Sequence, residues 1–450
     1  MILSLLMAAE NNLSPASNGA RKGVSLPARI FGGLILGALL GGLASGLAGE
    51  NRESLDWVVS RITEPAGRIF LRLLLMIVIP LVFSTLALAV AGMADIRRLG
   101  RIGLKTLVYT VIVSGLSVLV GFTLANTVQP GRRIAEETRS QLVERYRADV
   151  EQLGRPPVVG GPGSGIETLV PDNPLAAMSR NPPDMLGIMV FALIFGLGLM
   201  LLPPAKAAPV TAVLEGVYEA VAKIIDLVMH LAPYGVFALL FTMTARFGFA
   251  LLESLVWYVA TVIAALSFQQ FVVYSLILRL LARTSPLDFF RRIRTVMLTA
   301  FSTSSSNATL PTALQVARDN LHLPPSISNF VLTIGATANQ NGTALYEGVT
   351  VLFLAQVFGV DLTFDQQLFL LTLAVLAGVG TAGVPSGSIP FIMLILTQVN
   401  VPMEGIAIIL GIDRILDMCR TVLNVTGDMV AATYISRTEE TVREPSLTPA

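Results

Sequence analysis

Long apolar stretches restrict the fold of this chain more than any other feature of its sequence. A helix needs about 20 predominantly apolar residues to cross the hydrocarbon core of a bilayer, which is roughly 30 Å thick. We place such spans near residues 27–48, 68–92, 104–127, 184–202, 208–246 and 250–282. The 450 residues are 53% hydrophobic and only 14% charged, which is too apolar for an ordinary soluble protein of this length. The sequence therefore predicts an all-α membrane protein in contact with lipid.

Charge and cysteine content exclude several other classes of protein. The chain has 31 Lys and Arg against 30 Asp and Glu, so its net charge of +1 provides no field to attract nucleic acid. Cys419 is the only cysteine, which excludes an intramolecular disulfide and a thiolate metal cage. We expect a small-molecule partner, no nucleic acid and no organic cofactor.

Basic residues beside the apolar spans indicate the orientation in the membrane, because cytoplasmic loops carry an excess of Lys and Arg. Clusters precede the first span and follow the second and sixth, at Arg21, Lys22 and Arg29, at Arg97, Arg98, Arg101 and Lys105, and at Arg283, Arg291, Arg292 and Arg294. We therefore expect residues 1–26 to be cytoplasmic and residues 128–183, which include GGPGSG, to form an external loop. The tail, 437–450, is expected to be cytoplasmic as well.

The first span carries three glycines at four-residue spacing, Gly33, Gly37 and Gly41. Residues four apart share one face of a helix, and small residues there let another helix approach closely. We interpret this row as a packing face rather than a chemical site.

Polar interruptions set the last third of the chain apart. The apolar pattern is broken by TSSSNATLP (303–311), NQNGT (339–343) and GTAGVPSGS (380–388). Non-helical backbone at membrane depth is tolerated only where it is buried in protein or lines a wet cavity, and such breaks mark the binding sites of transporters. We interpret the first and third as tips of re-entrant hairpins, and NQNGT as an unwound part of a spanning helix.

The last span, residues 402–434, carries the strongest single signal. Polar residues recur there at intervals of 4, 4, 3 and 4, which is one stripe of one helix: Asp413, Asp417, Thr421, Asn424 and Asp428. With Arg414 and Arg420 the span holds five ionisable residues, which would cost roughly 12–17 kcal/mol if they faced lipid. The stripe must therefore face the protein interior, as a binding site or as structural ion pairs.

At these residues the chain resembles the glutamate transporter family, also called dicarboxylate/amino acid:cation symporters. FSTSSSNATLP resembles the first hairpin of that family, GATANQNGTALYEGV its unwound seventh span, GTAGVP its second hairpin and DRILDMCRTVLNVTGD its eighth span. The similarity runs from Pro27 to Ser436 and is weakest in the external loop. Together the four motifs in this order are very specific.

The resemblance implies eight transmembrane helices plus two re-entrant helical hairpins, assembled as a homotrimer in the cell inner membrane. A fixed scaffold would comprise residues 27–103 and 184–246. A transport domain, comprising residues 104–127 and 250–436, would carry the substrate across by an elevator motion.

The resemblance also implies a site for an acidic amino acid, aspartate or glutamate. Arg420 would bind its side-chain carboxylate, Asp417 its ammonium group and Asn424 its main-chain carboxylate. The remaining substrate-binding positions are Ser305, Ser306, Thr343, Val384 and Thr421.

Two sodium sites follow from the same resemblance. Asp428 would hold one ion together with carbonyl groups of Gly335, Asn339 and Asn424. Carbonyl groups of Thr337, Gly378, Val379 and Thr381 would hold the other. Oxygen ligands of this kind suit a hard cation.

Three departures from the family pattern matter. The acidic residue of a third sodium site is replaced by Asn341, and of its partners in the third span mainly Ser114 is retained, beside Thr110 and Val113, so we expect that site to be lost or weak. The family's arginine near the binding-site aspartate is missing at Ser304 and Met418, and Arg414 is the residue placed to compensate. Glu347 stands where some members carry a proton-accepting glutamate, so we expect one proton to be cotransported; the alternative is a static pair with an arginine such as Arg414.

Three alternatives remain beside an acidic amino acid symporter. A dicarboxylate symporter is disfavoured because Asp417 would face an anion that has no ammonium group. An ion channel would show flux without saturation. A serine hydrolase lacks a base, because the only histidines are His230 and His322, so we expect no enzyme activity.

Overall fold

Helices make up all the regular structure of the described residues. The computed structural model describes residues 26–48, 52–92, 101–134, 140, 144, 170–180, 183, 185–380, 387–399 and 401–443. No strand occurs within these ranges, so the prediction of an all-α protein is confirmed there.

The helices of the first part of the chain are α1 (Leu26–Ala48), α2 (Glu53–Val58), α3 (Glu64–Met76), α4 (Val78–Gly92), α5 (Arg101–Val128), α6 (Pro174–Ser179), α7 (Met185–Leu201) and α8 (Pro204–Phe247). A π-helical turn, Val59–Thr63, joins α2 to α3, and a 3₁₀ turn, Pro130–Arg133, follows α5.

The helices of the second part are α9 (Ala250–Phe268), α10 (Tyr274–Leu280), α11 (Pro286–Arg292), α12 (Arg294–Thr303), α13 (Ser306–Asp319), α14 (Pro325–Ala338), α15 (Asn341–Val357), α16 (Phe364–Gly380), α17 (Ile389–Gln398) and α18 (Ala407–Arg443). A second π-helical turn, Gln269–Val273, joins α9 to α10.

Five helical stretches in the described ranges are long and apolar enough to cross a membrane: Ala28–Leu47, Glu53–Gly92, Arg101–Arg133, Pro204–Arg246 and Ser254–Leu280. They correspond to five of the six predicted apolar spans, and the sixth, 184–202, is the shorter helix α7. The predicted start of the second span at residue 68 is wrong, because the helical backbone begins at Glu53 and continues through charged residues such as Glu64 and Arg68.

The three glycines of α1 pack against α8, as their spacing predicts. A Cβ atom at Gly33, Gly37 or Gly41 would collide with the α8 backbone at Pro233, Phe237 and Phe241 respectively. The α8 helix has 44 residues and is therefore about 66 Å long, so it must tilt or extend beyond the roughly 30 Å hydrocarbon core.

Two of the predicted interruptions are breaks between helices. The break between α12 and α13 consists of Ser304, in the left-handed region with φ +50°, and Ser305, whose Oγ accepts a bond from Ala308 N and caps α13. The break between α14 and α15 consists of Asn339 and Gln340, so it is shorter than NQNGT. Residues 381–386 of the third interruption lie outside the described residues.

Two helices, α15 and α18, carry most of the polar residues that the sequence singles out. Every residue of α15 is buried. It packs against α5, α9, α16 and α18. The last helix begins at Ala407, after a 3₁₀ turn at Met403–Ile406, and ends at Arg443, so it begins and ends later than the predicted span 402–434.

Candidate functional site

The polar stripe of α18 faces the protein interior, as its cost in lipid predicts. The exposed fractions are 1% for Asp413, 4% for Asp417, 2% for Arg420, 2% for Asn424 and 3% for Asp428. Such deep burial requires that each charge be compensated by neighbouring groups.

Arg420 lies between two carboxylates of its own helix. Its Nε and Nη2 atoms are 2.9 and 2.8 Å from Oδ1 of Asp417, and its Nη1 atom is 3.2 Å from Oδ1 of Asp413. The ring centroid of Tyr346 is 4.4 Å from the guanidinium carbon, which is within cation–π range. The guanidinium plane is therefore held along its edges and over one face.

A second arginine reaches Asp417. Arg414 Nη1 donates to Oδ2 of Asp417 at 3.3 Å, so the contact expected from their three-residue spacing is present. Two arginines and two aspartates thus meet within two turns of α18, and their formal charges balance.

Asn424 connects α18 to the break between α14 and α15. Its Oδ1 accepts bonds from the backbone N–H groups of Gly342 at 2.7 Å and Thr343 at 3.3 Å. Its Nδ2 donates to Oγ1 of Thr343 at 3.2 Å and to Oε1 of Gln340. A Cβ atom at Gly342 would lie 2.6 Å from the Arg420 carbonyl oxygen, so only glycine permits this approach. Asn424 and Thr343, both predicted site residues, are therefore brought together.

Asp428 lies beside the same break. Its Oδ1 accepts a bond from Asn339 Nδ2 at 2.7 Å. A Cβ atom at Gly335 would collide with that carboxylate. The predicted grouping of Asp428, Asn339 and Gly335 is therefore present in space.

The hydrogen-bond partners of Asn341 are neutral groups. Ser114 Oγ donates to its Oδ1 at 2.6 Å, and its Nδ2 donates to the Tyr274 hydroxyl at 3.1 Å, which bonds the Leu423 carbonyl at 3.3 Å. Ser114 is the retained partner that the sequence indicates, whereas Tyr274 enters from α10. The amide of Asn341 thus has partners on both of its polar atoms.

Three further predicted site residues lie beside Gln340 or Asp417. Ser306 is buried, with its Oγ 3.5 Å from Gln340 Nε2, and Thr421 Oγ1 donates to the Asp417 carbonyl at 2.8 Å. Gly378 approaches the break, since a Cβ atom there would lie 3.4 Å from the Gln340 carbonyl oxygen.

The structure places three more of the predicted site residues and leaves two outside the described ranges. Val379 follows Gly378 near the end of α16, and the Thr337 side chain is exposed, bonding the Ile334 carbonyl. Glu347 is fully buried in α15. Thr381 and Val384 lie outside the described residues.

Sequence reasoning missed two residues of the site. Gln340 lies in the break and bonds both Asn424 and Ser306, and its position inside NQNGT was the signal. Tyr346 bonds Asp413 and covers Arg420, but an aromatic residue in a buried helix usually indicates core packing, so the sequence offered no separate signal.

Comparisons with known proteins identify the family of the chain. The model of the Sodium:dicarboxylate symporter family matches residues 26–438. The chain is 36% identical over 418 residues to a proton/glutamate-aspartate symporter of Escherichia coli (strain K12), covering 92% of this chain and 93% of the relative. It is 35% identical over 419 residues to a proton/sodium-glutamate symport protein of Bacillus subtilis (strain 168), covering 92% of each chain.

A further relative has a different named substrate. The chain is 30% identical over 421 residues to a C4-dicarboxylate transport protein of Xanthomonas campestris pv. campestris (strain B100), covering 93% of this chain and 89% of the relative. All these relatives are transporters, not enzymes. The matched region contains the five apolar helical stretches and the whole buried polar site. The chain is therefore a multi-pass membrane protein that belongs to the Sodium:dicarboxylate symporter family.

Proposed function

We propose that this protein is a secondary active symporter of acidic amino acids, aspartate or glutamate. The observation that carries the proposal is the buried guanidinium of Arg420, a permanently charged fork that matches a carboxylate bidentately. In this proposal Arg420 binds the substrate side-chain carboxylate and Asp417 binds the ammonium group. Asn424 and the backbone near Ser305 and Ser306 bind the main-chain carboxylate.

Calorimetry with L-aspartate and its neutral isostere L-asparagine tests this assignment. The wild type should bind aspartate much more tightly than asparagine. Arg420→Ala should cost about 2–5 kcal/mol of aspartate binding, because a carboxylate is left without its partner in a desolvated pocket. Equal binding of the two ligands by the wild type would contradict the substrate class.

Sodium is proposed as a coupling ion at about two sites. Asp428 and Asn339 beside Gly335 support the first, and the approach of Gly378 to the break supports the second. Asn341 supplies no formal charge for a third ion, and both its polar atoms have protein partners. Reversal potentials in proteoliposomes give the number directly, and a sodium coefficient of three would contradict this part of the proposal.

A proton is the second proposed coupling ion, carried by Glu347. This acid is fully buried in α15, and intramembrane acids either pair or move protons. Uptake driven by an inward proton gradient at fixed sodium and voltage should lose its pH response in Glu347→Gln, while substrate exchange persists. A wild type indifferent to the proton gradient would leave sodium as the coupling ion.

We propose that transport is an elevator motion in a homotrimer of the inner membrane, with both termini cytoplasmic. Helix packing supports two parts: α8 packs on α1, α3 and α4, and α7 packs on α4. In the second part, α15 packs on α5, and α12 and α14 pack on α18. The first part would be the scaffold and the second the transport domain.

One contact favours a second candidate, a C4-dicarboxylate. Asp417 is bonded by both Arg414 and Arg420, so its charge is compensated without a substrate ammonium group. This removes the objection that Asp417 would repel a dicarboxylate.

Competition by succinate against labelled aspartate tests the second candidate. Succinate should inhibit aspartate binding to the wild type. Arg414→Gln should weaken the binding of succinate more than that of aspartate, because the ammonium group of aspartate can itself compensate Asp417. Arg318→Gln, which removes an exposed arginine paired with Asp319, is the control. Absence of inhibition by succinate would eliminate this candidate.

A further inference from the structure

Asp413 belongs to the buried stripe of α18, yet the proposed substrate contacts do not use it. Its Oδ1 atom accepts two bonds, one from the Tyr346 hydroxyl at 2.9 Å and one from Arg420 Nη1 at 3.2 Å. The exposed fractions of the three side chains do not exceed 2%. The carboxylate therefore joins α15 to the arginine of α18 away from bulk water.

The neighbours of Arg420 contact different edges and one face of its guanidinium group. The Nε–Nη2 edge of the guanidinium faces Asp417, so the Nη1–Nη2 edge is the fork for a second carboxylate. Asp413 binds Nη1, one arm of that fork. The ring of Tyr346 lies over the guanidinium and limits its tilt, while the hydroxyl of the same residue holds Asp413 in place.

We propose that Asp413 and Tyr346 are positioning residues that fix the carboxylate-binding edge of Arg420 and thereby set the selectivity for acidic over neutral substrates. The inference rests on the proposed function, in which Arg420 binds the substrate side chain. A long flexible side chain must be held in one rotamer before both arms of its fork can meet a carboxylate. The tyrosine links this requirement to α15, which begins directly after the break at Asn339 and Gln340.

Two other roles for Asp413 make different predictions. As a simple counter-charge, Asp413 would act through its charge, and Asp413→Asn would be as harmful as Asp413→Ala. If Asp413 were only a structural residue, its substitution would lower the melting temperature and weaken the binding of all substrates equally. As a positioning residue, Asp413 acts through the position of its Oδ1 acceptor atom. The side-chain oxygen of asparagine can accept hydrogen bonds at the same position, so Asp413→Asn should keep this role.

The experiment measures inhibition constants of L-aspartate and L-asparagine against labelled L-aspartate binding to the purified protein, with the melting temperature of each variant. The variants are Asp413→Ala, Asp413→Asn, Tyr346→Phe and the double variant Asp413→Ala/Tyr346→Phe. Thr433→Ala is the control, since Thr433 is buried on the same helix and bonds only the Met429 carbonyl in the described contacts.

Asp413→Ala should weaken the binding of aspartate by about tenfold or more and the binding of asparagine by less than about threefold. Asp413→Asn should lower the melting temperature, because the buried Arg420 loses part of its compensation, yet it should keep the ratio of aspartate to asparagine affinity within about threefold of the wild type. Tyr346→Phe should fall between these two variants. The double variant should resemble Asp413→Ala, because both changes act through the same acceptor.

An unchanged ratio of aspartate to asparagine affinity in Asp413→Ala, in a wild type that prefers aspartate, would overturn the inference and leave the proposed function intact. Equal losses in Asp413→Asn and Asp413→Ala would also overturn it. If Asp413→Ala does not fold, Tyr346→Phe decides through the same ratio. A wild type without preference for aspartate would overturn the proposed function and the inference together.

Discussion

The absence of a side chain at Gly335 leaves room for the Asp428 carboxylate of the candidate ion site. A Cβ atom there would collide with the Asp428 carboxylate, which is 3% exposed and bonded to Asn339. Gly335→Ala should therefore displace Asp428. We expect sodium-dependent substrate binding to weaken by about tenfold or more. The measurement is a sodium titration of aspartate binding.

Gly115→Ala is the matched control, because a Cβ atom at this helical glycine meets nothing within 4 Å. Its sodium dependence should equal that of the wild type, and its stability should rise by about 0.5–1 kcal/mol from better helix propensity. If Gly335→Ala behaves like Gly115→Ala, Asp428 does not coordinate sodium in this arrangement.

Individual site residues were predictable from the sequence where their spacing or cost in lipid identified them. The stripe from Asp413 to Asp428 could face only the interior, and its burial confirms this. Tyr346 could not be identified, because its role depends on a contact between α15 and α18 that no local pattern encodes. For the same reason, the contact of Asn341 with Tyr274 of α10 was not predictable.

At the scale of helices, the contact between α1 and α8 depends on the absence of side chains. A Cβ atom at Gly37 would lie 2.5 Å from the Phe237 carbonyl oxygen, so the two backbones must separate if it is added. Gly37→Leu should therefore destabilise the protein by about 1–3 kcal/mol or more. Thermal unfolding in detergent measures this change.

Gly32→Leu is the control on the same helix, since a Cβ atom there meets nothing within 4 Å. Its melting temperature should stay close to that of the wild type. A similar decrease in both variants would mean that leucine itself, and not the α1–α8 contact, causes the loss.

A second contact between helices joins the start of α5 to the end of α18. Arg101 Nε and Nη2 donate to Glu439 at 3.0 and 2.5 Å, and Lys105 Nζ lies 2.8 Å from the same carboxylate. The hydrogen bonds from Arg101 hold the pKa of Glu439 below its usual range, although desolvation opposes them. A lowered folded-state pKa means that this stabilisation is complete above the unfolded pKa of about 4.3 and is lost as the pH falls through the folded value.

Melting temperatures of the wild type and Glu439→Gln across this range test that linkage. The wild type should melt higher above about pH 5, and the difference should close below about pH 4. Asp319→Asn, which breaks an exposed pair with Arg318, should change the melting temperature less. A difference that does not depend on pH would show that the charge of Glu439 is not what stabilises the contact.

Helix lengths were less predictable than helix existence. Apolar windows located five long stretches but placed the start of the second too late, because its charged residues interrupt the hydrophobic run without interrupting the helix. The α18 helix interrupts its apolar run for a related reason. Its aspartates are compensated partly by residues outside the helix, Tyr346 for Asp413 and Asn339 for Asp428, which no local stretch of sequence includes.

At the scale of the whole molecule, apolar helices surround a buried polar site in which two arginines balance two of the three aspartates. Arg420 with Asp417 supports the proposed binding of an acidic amino acid, and Asp428 with Asn339 supports the proposed sodium site about two to three turns further along the same helix. In the proposed mechanism, the position of both sites on α18 provides the physical basis for coupling, because each ligand would order the same helix and the same break. The proposed symport requires this coupling between substrate and ion.

Uptake of labelled L-aspartate by proteoliposomes that contain only this protein tests that claim most directly. Sodium and proton gradients are imposed separately, together and not at all. If the protein is a symporter, uptake should be saturable and should raise internal aspartate above its external concentration only when an inward ion gradient is present. Uptake that does not saturate, and that reaches the same level with and without gradients, would contradict symport and indicate a channel.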